Sequence, residues 1–206
     1  MFLMCGEFVM FDLKKEWRDI FLVILLFWGL SFTAFVINHI SNGALNSYGL
    51  LPRHVSHLSN IAFYPFIHGT WSHLIFNLTS FTLLALGVGV NGVARLINVI
   101  LLCWLFGSIS VWLFGRISYH VGLSGIIYGI WGYLLIYGLV LRSIMSLIIT
   151  FLVLVYFSSM IWGVFPFNYL VSFESHLFGA IAGGFIGYFL GKKDREKLNC
   201  HYDQKP

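Results

Sequence analysis

Three short stretches of this sequence carry side chains that could act together on a carbonyl group. The first is Gly122-Leu123-Ser124-Gly125, where a polar, glycine-rich break gives way to a long apolar run. A serine there sits at a helix N-terminus, where free backbone N–H groups and the positive end of the helix dipole stabilise a developing oxyanion. Gly122 and Gly125 would let backbone and substrate approach closely. On its own the motif is weak, since a serine that merely caps a helix looks the same.

The second stretch is Glu174-Ser175-His176-Leu177-Phe178-Gly179. His176, Gly179, Gly183 and Gly187 recur at spacings of three and four, so one helical face presents an imidazole followed by a groove of glycines. Gly125 and Gly129 extend a similar small-residue face from Ser124, and pairing the two faces would bring serine and imidazole together. A histidine that only bridges two helices remains the alternative.

The third stretch runs from His68 through His73 to Asn77. His73 and Asn77, four apart, share one helical face and both can donate hydrogen bonds to an oxyanion. Polar residues in a membrane span need partners, so a purely structural role stays open for each of them. What raises the chemical reading is that separate helices offer Ser, His, and His plus Asn at one end of the fold.

Those helices must lie in a membrane. Hydrophobic residues make up 59% of the 206 and charged residues 10%, against roughly 25% charged in soluble domains. Between residues 20 and 191 there is one acid, Glu174, and four bases, Arg53, Arg95, Arg116 and Arg142. A span needs about 20 apolar residues, and six runs qualify: Ile20–Ile37, Trp71–Val90, Leu96–Gly115, Ser124–Leu141, Ser143–Trp162 and Ser175–Gly191. The first lacks the small-residue cleavage site of a signal peptide and reads as a retained helix, although Met4 or Met10 could be the start of the chain. The reading is an all-α membrane protein, a six-helix bundle over 20–191, with a cytoplasmic N-terminal segment over 1–19 and a basic cytoplasmic tail over 192–206.

Charge sets the expected orientation. Placing both termini in the cytoplasm puts Lys14, Lys15, Arg18, Arg95, Arg142, Lys192, Lys193, Arg195, Lys197 and Lys205 inside and leaves only Arg53 and Arg116 outside. The long break from His39 to Thr70 then faces out. The net charge of +4 is a topology signal, not a nucleic-acid footprint. Cys5, Cys103 and Cys200 have no metal-type spacing and suggest neither metal nor disulfide.

The same inventory removes other chemistries. With no Asp between 19 and 194, an intramembrane aspartyl pair is excluded, and no His-Glu-x-x-His motif exists for zinc. No repeat or pair of broken helices suggests a transporter.

Taken together, His68-x4-His73-x3-Asn77, Gly122-Leu123-Ser124-Gly125-x2-Tyr128-Gly129 and His176-x2-Gly179-x3-Gly183 resemble the rhomboid intramembrane serine proteases in order and spacing, over about His68 to Gly187. The resemblance implies a six-transmembrane rhomboid-type bundle with Ser124 as nucleophile and His176 as general base. It implies His73 and Asn77 as oxyanion donors, with Tyr128 against the base and His68 and Gly122 in support. No cofactor is implied. The partners would be transmembrane protein substrates and the lipid bilayer of a bacterial inner membrane; no oligomeric state is indicated. A rhomboid-like protein that binds membrane clients without cutting them is the alternative. Two family features are missing: Leu58-Ser59-Asn60-Ile61-Ala62 stands where many relatives have Trp-Arg, and Gly87-Val88-Gly89 where many have a Glu. Glu174, about 200° around a helix from His176, is expected not to bond the imidazole, leaving a Ser–His dyad.

Overall fold

Long apolar runs without proline become helices here because a membrane offers the backbone no other hydrogen-bonding partners. Pro52, Pro65 and Pro166 all fall between the long helices. The computed structural model describes residues 13–167 and 171–203. The readings made for Cys5, Met4, Met10 and Lys205 lie outside them. Among the described residues seven α-helices follow in order: α1 Leu13–Ile40, α2 Trp71–Gly89, α3 Val93–Phe114, α4 Ser124–Leu141, α5 Ile144–Tyr156, the one-turn α6 Met160–Gly163, and α7 Phe173–Asp203. There are no strands among the described residues, only an isolated antiparallel pair between Leu50 and His120. This is an all-α membrane bundle.

Each of the six apolar runs contains a helix, but three helices differ markedly from their run in length, α1 by extending it to Leu13 and Ile40. α1 to α4 are long and apolar enough to cross a membrane. α5 has 13 residues, or about 20 Å at 1.5 Å per residue, and stops at Tyr156 instead of continuing to Trp162. The interruption falls at Ser158-Ser159, where the Ser158 hydroxyl donates to the Val155 carbonyl at 3.4 Å and so competes with the backbone ladder. α7, conversely, runs past the apolar boundary at Gly191. Asp194 in that extension pairs with Arg95 of α3 at 2.8 Å and accepts from the Tyr137 hydroxyl at 2.9 Å.

α4 is the hub: 78% of its apolar window is buried, against 28% for α1. It packs hardest against α7, and the glycines explain why. A Cβ added at Gly179 would collide with the Gly125 carbonyl, at Gly183 with the Gly129 carbonyl, and at Gly132 with the Ala180 carbonyl. Backbone therefore rests on backbone, the close approach that small residues at four-residue spacing permit.

The segment between α1 and α2 is folded onto the Ser124 end of the bundle. It forms three short 3-10 helices, Ala44–Tyr48, Val55–Ala62 and Tyr64–Phe66. Arg53 donates to the Gly115 carbonyl at 2.8 Å and the Leu113 carbonyl at 3.2 Å, capping the end of α3, and Trp104 donates to the Ile61 carbonyl at 2.7 Å. A long loop held this way is a platform for a site.

Candidate active site

Ser124 is the first residue of α4 and His176 lies in the first turn of α7. The glycine packing of the two helices sets their ends side by side, and the two residues are only 9% and 8% exposed. Tyr128, one turn after Ser124, lies flat on His176, with ring centroids 4.0 Å apart and planes 9° from parallel. On the other side, His176 Nδ1 is 3.0 Å from the Gly163 carbonyl at the end of α6. A carbonyl only accepts, so Nδ1 carries the proton and Nε2 keeps its lone pair. No direct hydrogen bond joins Ser124 to His176 among the described residues.

The turn into Ser124 is glycine-dependent. Gly122 has φ +102°, a conformation that disfavours any residue with a Cβ. Its N–H donates to the Tyr64 carbonyl at 2.9 Å. A Cβ there would also lie 2.8 Å from His73 Nε2 and 3.3 Å from Asn77 Nδ2. Both α2 side chains therefore press against the turn two residues before Ser124.

His68 controls how Asn77 is presented. It is fully buried, and that burial, helped by the neighbouring His73, pushes its pKa down to about 4 despite the opposing bond to Phe66. The neutral ring donates from Nδ1 to the Phe66 carbonyl at 3.0 Å. Its Nε2 then accepts from Asn77 Nδ2 at 2.9 Å. This fixes the Asn77 amide with its second N–H available. The His68 ring meets His73 edge-on at 4.9 Å.

The residues singled out by spacing, Ser124, His176, His73 and Asn77, and those implied by the resemblance, Tyr128, Gly122 and His68, occupy one end of the bundle. No hydrogen bond joins Glu174 to the imidazole among the described residues. Its carboxylate accepts from the Arg116 N–H at 3.4 Å and pairs with the Arg116 guanidinium at 3.5 Å. Two participants were missed. Tyr64 receives the Gly122 N–H and hydrogen-bonds Ser108 at 2.9 Å through its hydroxyl, and Gly163 supplies a carbonyl. The only available signal was Tyr64-Pro65 inside a loop too long for a simple connection; a backbone carbonyl leaves none.

Comparison with known proteins gives the family. The Rhomboid domain matches residues 55–193, well over half of the chain. The chain belongs to the rhomboid family. It is accordingly an integral membrane protein of a family of membrane proteases. Relatives include an uncharacterized protein of Mycobacterium leprae, 30% identical over 192 residues, covering 89% of this chain and 76% of the relative. Another, from Mycobacterium tuberculosis, is 29% identical over 182 residues, covering 84% and 76%.

Proposed function

We propose that this rhomboid protein is a serine endopeptidase that cuts the membrane segments of other proteins through a Ser124–His176 dyad. The observation that supports the reading is the stacking of His176 on Tyr128, the residue one helical turn after Ser124, while the Gly163 carbonyl holds the protonated nitrogen. In free enzymes the bond between nucleophile and base is often not yet formed and closes with substrate in place.

Ser124 Oγ attacks the scissile carbonyl carbon as its proton passes to His176 Nε2. The oxyanion takes hydrogen bonds from the second Asn77 N–H, from His73 and from backbone N–H groups in the first turn of α4. His176 then returns the proton to the departing amine as the C–N bond breaks, leaving an ester on Ser124. Water, deprotonated by His176, attacks that ester and restores Ser124 and a new carboxyl end. The Gly163 carbonyl fixes the tautomer, a task an aspartate performs in soluble triads.

Substrates of this reading are transmembrane proteins whose helix unwinds near the outer face and offers a small residue for cleavage. The charge distribution supports both termini in the cytoplasm of a bacterial inner membrane. The test is cleavage of a reporter transmembrane substrate in proteoliposomes by wild type, Ser124→Ala and His176→Ala. The proposal requires that both variants insert normally and lose cleavage; robust cutting by either refutes it.

A further inference from the structure

A directional hydrogen-bond chain runs from the Arg116 carbonyl through His120, a buried residue that the proposed chemistry does not use, to Ser172 and Ser175. His120 Nε2 lies 3.1 Å from the Arg116 carbonyl, which can only accept, so this nitrogen is the donor. Burial, with the charge of Arg116, holds the imidazole below its ordinary range against the opposing pull of the Arg116 carbonyl and of Glu174. The ring is therefore neutral near pH 7, and Nδ1 is an acceptor. The Ser172 hydroxyl donates to it. With its own proton committed, Ser172 Oγ accepts from the Ser175 hydroxyl at 2.7 Å and the Ser175 N–H at 3.4 Å.

The second of those bonds makes Ser172 the N-cap of α7, receiving the N–H of the third helical residue. The backbone on the other side of His120 is equally fixed. It exchanges two hydrogen bonds with Leu50, both 2.9 Å. His120 is therefore held by the platform between α1 and α2 and reaches across to the start of α7. It stands four residues before Ser124, and Ser172 stands four residues before His176.

We infer that His120 is a positioning residue, a strut that sets the start of α7 against the turn entering α4 and so fixes the separation of Ser124 and His176. The inference rests on the proposed dyad. The glycine contacts fix how closely α4 and α7 approach and reach the first turn of α7, where Gly125 lies against Ser175; the His120 bond adds a hold on the capping residue just before that turn. Between the loop that leads to the serine and the segment that leads to the histidine, the side-chain ties include Arg116 to Glu174, Val171 and the ring of Phe173, and His120 to Ser172. Of these, only the His120 bond is made to the residue that caps α7.

The test measures the rate at which a fluorophosphonate probe labels purified full-length protein at pH 7.5, per folded molecule, alongside the thermal midpoint of each variant. His120→Phe keeps ring volume without either hydrogen bond and is expected to label at least tenfold more slowly than wild type. His120→Asn places an acceptor near the position of Nδ1 and is expected to recover the rate to within threefold. Ser172→Ala, which removes the donor, should match His120→Phe and serves as the second probe if that variant does not accumulate. A wild-type rate in His120→Phe or in Ser172→Ala overturns the strut. So does a loss in His120→Phe that His120→Asn fails to recover, or a fall in midpoint with no change in rate per folded molecule, since either describes a structural role alone. Absence of labelling in wild type overturns the Ser124 reading itself, and the strut with it.

Discussion

The imidazole of His176 lies parallel to the phenol of Tyr128, 4.0 Å away, and donates from its other edge to the Gly163 carbonyl at 3.0 Å. The stack fixes the ring plane and the carbonyl fixes the tautomer, the two tasks the proposed dyad needs in place of a buried carboxylate.

The stacked face, not the hydroxyl, is the part of Tyr128 that matters in this account. Tyr128→Phe keeps the ring and should cleave a reporter substrate within about threefold of wild type. Tyr128→Ala removes it and should lower turnover tenfold or more, since misorienting a reacting group by even about 1 Å can cost 10²-fold. Equal activity in the two variants would show that stacking does not orient the base.

Asn77→Ala and His73→Ala each remove one donor near Gly122 and should lower turnover by about 10² to 10³ without abolishing it, because the backbone donors remain. Full activity in both single variants would rule out an oxyanion role for α2.

The contact between α4 and α7 tolerates no added atom at Gly183 but has room one residue later, where a Cβ at Gly184 would meet nothing closer than 3.6 Å. Gly183→Ala should therefore destabilise the bundle by about 1–3 kcal/mol, the usual cost of overpacking. Gly184→Ala should leave the thermal midpoint within a degree or two. Thermal unfolding in detergent compares the pair, and equal midpoints would contradict the backbone-on-backbone packing.

His68 gives the fold an acid sensitivity with a definite sign. Its pKa is pushed from 6.5 to about 4 by burial, so the folded state favours the neutral ring. The associated stability is complete above about 6.5 and is lost as pH falls toward about 4, up to roughly 3 kcal/mol in all. Thermal midpoints of wild type and His68→Gln, measured from pH 7.5 to 4, should converge toward the acid end. A constant difference across that range would mean that His68 does not titrate between folded and unfolded states.

Much of the site was readable in the sequence because helical periodicity is rigid. Ser124 and Tyr128, His73 and Asn77, and His176 with Gly179 and Gly183 are each related by three or four residues, and such residues share a face wherever the helix goes. The pairing of α4 with α7 followed from the glycine spacing. What escaped were contacts made by loops and carbonyls. The Gly163 carbonyl depends on α5 ending early at Tyr156 so that α6 can turn back toward His176. Tyr64 and His120 depend on the path of a thirty-residue connection with no apolar period to read. The partner of Glu174, Arg116, lies 58 positions away in the chain, and nothing in the local pattern of Glu174 pointed there.

The most direct test of the account is whether Ser124 is chemically activated. Wild-type protein, Ser124→Ala and His176→Ala, each purified in detergent and shown to be folded, would be reacted with a fluorophosphonate, and the modified residue mapped by mass spectrometry. The account predicts a single phosphonylated residue, Ser124, in wild type, no labelling in Ser124→Ala, and at least a hundredfold slower labelling in His176→Ala. Labelling at another serine, or undiminished labelling of Ser124 without His176, would contradict the dyad.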